Sequence, residues 1–108
     1  MNFKQITDQF NESSLGTDAF KTLYKSAFDL MKADPDNASL YFVIGTAARA
    51  FVMRYEDQGL SGEFVDEARA TMHRMNAKIL AALASDPAQR LRLLSEVAMD
   101  YEWNVTAF

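Results

Sequence analysis

The stretch Leu40–Tyr55, LYFVIGTAARAFVMRY, decides the fold. Leu40, Ile44, Ala47, Phe51 and Tyr55 recur at helical intervals and form one apolar stripe. Ala48, Ala50 and Val52 spread the apolar surface well beyond that stripe, which predicts a helix buried on most of its sides. Gly45, Thr46, Arg49 and Arg54 interrupt the run before it reaches the roughly 18 apolar residues that a membrane span needs. The segment therefore reads as a core helix.

Working outward, Asp57-Gln58-Gly59-Leu60-Ser61-Gly62 ends this helix, and Ser61 is placed to cap the next one. That fourth helix is expected to reach about Ala84, with Val65, Ala68, Met72, Met75, Ile79, Leu80 and Leu83 buried. Asp34-Pro35 and Asp86-Pro87 share one logic, in which the Asp caps a helix and the Pro takes its first position, where a missing amide costs little. The last helix then runs from Pro87 to about Val105, with Leu91, Leu94, Val97, Ala98, Tyr101 and Val105 on its inner side. Upstream, Thr17 is the expected cap of a helix that ends near Ala33 and buries Phe20, Leu23, Tyr24, Ala27, Leu30 and Met31. Phe3, Ile6 and Phe10 predict a short helix before it. No run alternates with the period of a strand. The expected fold is all-α, an antiparallel bundle of four main helices plus a short N-terminal helix, with residues 1–108 forming a single domain.

Composition narrows the functions. At 49% hydrophobic and 24% charged, the chain is in the globular range. A net charge of −4 disfavours binding to a phosphate backbone, which takes a cluster of Lys and Arg. Lys21, Lys25 and Lys32 share a helix side but Asp29 interrupts them, so they read as a solvated face. The absence of cysteine removes disulfides, thiolate nucleophiles and Cys-ligated metals. With one histidine and no Glu-x-x-His pair, no metal or other cofactor is expected. The start MNFKQITDQF shows no export or transit pattern, so a cytoplasmic location is the expectation, with neither membrane nor nucleic acid as partner.

Several apolar residues fall on the wrong side of their helices. Phe42 and Met53 flank Arg49 away from the inner stripe of the central helix. Met99 and Trp103, one turn apart, stand roughly opposite the inner stripe of the last helix. With Phe108 of the apolar tail, these six residues are the candidate interface, because aromatic residues, Met and Arg are enriched where proteins meet. They suggest a homodimer or another protein partner. The alternative is that Phe3 and Phe10 of the first helix cover Met99 and Trp103 within one chain.

His73 lies on the polar flank of the fourth helix, beside Arg69 and Asn76, where it is expected to be accessible. The segment His73-Arg74-Met75-Asn76-Ala77 resembles the active-site helix of histidine phosphotransfer domains, whose pattern is His, any residue, aliphatic, Lys, Gly. Asn76 stands in place of the lysine and Ala77 in place of the glycine. The resemblance implies a phosphoacceptor role for His73, with Arg69 or Arg74 supplying positive charge. Glu63, Asp66 and Glu67 suit the positive end of a helix dipole rather than acid–base chemistry, and no G-x-S-x-G elbow accompanies the serines. A small non-enzymatic interaction module of the adaptor, inhibitor or immunity type is the leading expectation. A phosphotransfer-like domain and a carrier of a small apolar ligand are the alternatives.

Overall fold

The computed structural model describes residues 1–13 and 16–105. Its five α-helices are α1 (Phe3–Glu12), α2 (Thr17–Ala33), α3 (Ala38–Tyr55), α4 (Gly62–Leu83) and α5 (Pro87–Asp100). A 3₁₀ turn, Pro35–Asn37, precedes α3, and a π-helical turn, Tyr101–Val105, continues α5. Among the described residues there is no strand, and the all-α bundle of four main helices plus a short first one is the observed architecture. No described helix is long and apolar enough to cross a membrane.

Helix α3 is the centre of the packing. Leu40, Ile44, Ala47 and Phe51 are buried as their spacing requires, and Tyr41, Ala48 and Val52 extend the covered arc around the helix. α2 lies against α3 most extensively, and its Phe20 ring stacks on Phe51 with centroids 4.0 Å apart. The aromatic layer continues outward on both sides: Phe10 of α1 meets Phe20 edge-on at 5.3 Å, and Phe64 of α4 lies 6.2 Å from Phe51. Such offset and edge-on pairs add to the stabilisation from area burial alone. Gly45 permits the close approach of α2, since a Cβ there would stand 2.7 Å from Cδ1 and 2.9 Å from Cζ of Phe28.

The helix starts divide into those read correctly and those that differ. Ser61 caps α4 by accepting from Phe64 N, and Asp86 caps α5 by accepting from Gln89 N. Helix α2, by contrast, begins at Thr17 itself, with Gly16 at φ 79° as the capping residue and no side-chain bond. Asp34 does not cap α3 either. The 3₁₀ turn separates it from that helix, and its carboxylate accepts from Tyr41 Oη at 2.6 Å and Asn37 Nδ2 at 2.9 Å instead. These bonds hold the Asp34 carboxyl below the usual range. Asn37 Oδ1 in turn accepts from Arg90 Nη1 at 2.9 Å, which ties the start of α5 to the start of α3.

The inner stripe of α4 is as expected, with Val65, Ala68, Met72, Met75 and Ile79 buried. That of α5 is not. Val97 is buried and Leu93 packs against the core, whereas Leu91 is 64% exposed and Ala98 is also exposed. The cause is the attachment of α5 to α4: Arg74 donates from Nε and Nη2 to the two oxygens of Asp100 at 2.7 and 2.8 Å, and Lys78 pairs with Glu96. These contacts turn the Leu93, Val97 and Asp100 side inward and leave the Leu91–Ala98 side at the edge of the bundle. The wider π turn rotates the chain less per residue than an α-helix and brings Val105 back to the core, where it is 1% exposed.

Candidate functional site

The most distinctive surface lies where α3 and α5 run side by side in the same direction. Asn37 and Arg90 mark its lower end, and Val43, Thr46, Ala98 and Tyr101 its upper end. Between the two helices opens an apolar groove of about 190 Å³, lined by Phe42, Val43, Thr46, Ala98 and Tyr101. A second crevice continues it toward the helix starts, past Leu40, Leu91 and Leu94. The exposed residues along this strip are Ser39 and Phe42 on α3 and Leu91, Ser95 and Ala98 on α5, with Thr46 partly buried between the helices. None is charged, in a chain where 24% of residues are.

The expected interface residues do not form one cluster. Phe42, Arg49 and Met53 share one side of α3, being 49% exposed, exposed and 78% exposed, respectively. Phe42 opens onto the groove, and the Arg49 guanidinium lies 4.9 Å from the Phe28 ring centroid, a cation–π contact. Met99 and Trp103 are exposed on the outer side of α5, about 100° around the helix from Ala98. Phe108 lies outside the described residues. The alternative in which the first helix covers Met99 and Trp103 is corrected: Phe3 packs on Tyr41 and Phe10 on Phe20, both deep in the core on other elements.

Compared with protein-family models, with curated proteins and with solved structures, the chain matches none.

His73 is less accessible than its place on a polar helix flank suggests. α1 lies over that flank: the Phe10 ring meets the His73 ring at 5.5 Å, and Arg69 Nη2 donates to the carbonyls of Phe10 and Ser13 at 2.9 and 3.2 Å. Arg69 also sits 4.7 Å over the Phe10 ring. Burial, and then the neighbouring Arg69 charge, lower the pKa of His73 below 6.5. Asn76, one turn further along, is 3% exposed, and neither its Nδ2 nor its Oδ1 has a hydrogen-bond partner among the described residues. Arg74 is committed to Asp100, whose carboxyl it holds below the usual range with help from Asn104. Neither arginine is thus directed at a group in front of His73. Among the described residues no three His, Asp or Glu side chains come together as a metal site.

Sequence reasoning placed Leu91, Leu94, Ala98 and Tyr101 on the inner side; Leu94 and Tyr101 do pack against the core at the edge of the groove, whereas Leu91 and Ala98 are exposed along it. The signal was present in the width of the arc. Leu91, Leu93, Leu94, Val97, Ala98 and Tyr101 together span roughly 160° of α5, more than one neighbouring helix covers.

Proposed function

We propose that this chain is a small non-enzymatic protein–protein interaction module that self-associates through the α3–α5 face. The observation that carries this reading is the uncharged strip along both helices, with an apolar groove between them and Phe42 half exposed at its edge. Water gains by leaving such a surface, and the charges near it, Asp36 and Arg90, stand at its lower end rather than along it. An uncharged strip with an apolar groove along it is a common mark of a surface that meets another protein. The acidic balance of the chain, −4 overall, keeps non-specific association low outside the strip.

Sedimentation equilibrium across a concentration series tests the reading. The wild-type mass should rise from the 12.2 kDa of one chain toward twice that value, and Phe42→Glu should stay at 12.2 kDa with an unchanged helical circular dichroism spectrum. A wild-type chain that stays monomeric to millimolar concentration refutes self-association.

A further inference from the structure

His73 is held between a cation and an apolar cover. The Phe10 ring of α1 meets the imidazole at 5.5 Å, and Arg69 fastens α1 there by donating from Nη2 to the carbonyls of Phe10 and Ser13. Arg69 stands one turn before His73 on the same face of α4, so a protonated ring would place two positive charges side by side. Little in the surroundings offsets the second charge. On α1, neither Asp8, tied to Lys4, nor Glu12 pairs with the ring; on α4, Arg74 is committed to Asp100 at the end of α5, and Lys78 to Glu96 on the same helix. The carbonyls that end α1 are taken as well, Gln9 by the N–H and Oγ of Ser13, Phe10 and Ser13 by Arg69. The Phe10 ring already carries the Arg69 guanidinium, 4.7 Å from its centroid. Arg69 Nη1 is itself buried without a hydrogen-bond partner among the described residues, so one cation here is already short of a bond. Beneath α1 the imidazole is therefore favoured only in its neutral form.

We propose that α1 is a pH-sensitive strap: uptake of a proton by His73 lifts α1 from α4 and uncovers the Phe3, Ile6 and Phe10 side of the helix, together with the Phe20 ring on which Phe10 packs. With α1 lifted, the ring stands in water and the Arg69 charge beside it is screened, so its proton affinity returns toward the ordinary 6.5 from the lower value that burial and Arg69 impose. The open form thus binds the proton first. Each pH unit below about 6.5 favours opening by up to about tenfold, until the closed form is protonated too. The contacts of Phe10 with Phe20 and of Phe3 with Tyr41 do not depend on pH and hold α1 down while His73 is neutral. Acid therefore acts on α1 ahead of the rest of the bundle, because α1 is the element that covers the ring.

The chain has no cysteine, so a single introduced thiol reports where it opens. Thr7→Cys places the thiol on the buried side of α1 and Val52→Cys on the buried side of α3, both positions being 3% exposed in the wild type. The rate of reaction with dithiodipyridine is measured for each at about pH 7.5 and about pH 5.5, and the ratio of the two rates cancels the pH dependence of the thiol itself. Acidification should raise the Thr7→Cys rate several-fold relative to that of Val52→Cys. Adding His73→Gln, which is neutral at both pH values, should hold the ratio constant. If the Gln variant loses its helical circular dichroism, NMR titration of the His73 ring in the Thr7→Cys chain takes its place, and labelling should rise over the same pH interval as the ring titrates. A ratio that ignores pH, a rise that persists in His73→Gln or runs apart from the ring titration, or an equal acceleration at both positions overturns the strap.

Discussion

Gly45→Ala sets two effects against each other, and the structure decides between them. In the interior of a helix alanine is favoured over glycine by about 1 kcal/mol. The new Cβ, however, would enter the space of the Phe28 ring, at 2.7 Å from Cδ1, 2.9 Å from Cζ and closer still to Cε1. The ring must swing away. Phe28 is half-buried, so its departure forfeits about half of the roughly 1.5–3 kcal/mol that full burial of such a side chain supplies. It also gives up the Arg49 contact, worth about 0.5–1 kcal/mol at an exposed site. The loss, about 2 kcal/mol, exceeds the gain, and Gly45→Ala should be destabilising by about 1 kcal/mol, a fall in Tm of about 4–8 °C. In a Phe28→Ala background the obstruction is gone and the same substitution should stabilise by about 1 kcal/mol. Urea unfolding of the four chains, followed by circular dichroism, measures this coupling of about 2 kcal/mol. If Gly45→Ala has the same sign in both backgrounds, the close approach of α2 and α3 through Phe28 is not what fixes glycine there.

Two further outcomes are expected. Replacing Asn76, buried with both amide atoms unpaired, by Leu should raise stability by about 1–3 kcal/mol, read as a higher urea midpoint; a lower midpoint would show that the amide has partners. The His73 ring should titrate below 6.5 by NMR, because burial and Arg69 favour its neutral form. Since the unfolded chain takes up the proton first, stability should fall as pH drops from about 6.5 to the folded midpoint and then level off, and His73→Gln should flatten that slope. A folded midpoint at or above 6.5 contradicts the packing of α1 over His73.

Much of the fold was legible because its driving residues repeat. The spacing of Leu40, Ile44, Ala47 and Phe51 fixes which way α3 faces, and the α4 stripe from Val65 to Ile79 does the same. Ser61 and Asp86 were readable as caps because the bond they make is local. What escaped depends on partners distant in sequence. The rotation of α5 is set by Arg74 and Lys78 from α4, so periodicity within α5 could not place Leu91 and Ala98 at the surface. His73 looked like part of a solvated flank because α1, more than 60 residues away in sequence, supplies its cover, and Asn76 beside it is buried as well. Gly45 read as an interruption, when it is the place where Phe28 enters. Of the candidate interface, Phe42, Arg49 and Met53 were found from their misplacement on one helix. The groove beside them joins two helices and required the fold.

The hold of Arg69 on the carbonyls of Phe10 and Ser13 has a consequence for the order in which the chain acquires structure. α1 is ten residues long, below the length at which an isolated helix persists in water, and its last turn contains no basic residue of its own. Its N-terminus is closed locally by the reciprocal bonds of Asn2 and Gln5 and its C-terminus by Ser13, whose N–H and Oγ donate to the Gln9 carbonyl, while Arg69, 59 residues beyond Phe10, adds a bond from α4. α1 thus leans on both neighbours, on α2 through Phe10 against Phe20 and on α4 through Arg69. It should be the last to lock and the first to exchange its amide hydrogens, a segment whose structure is borrowed from the rest of the bundle.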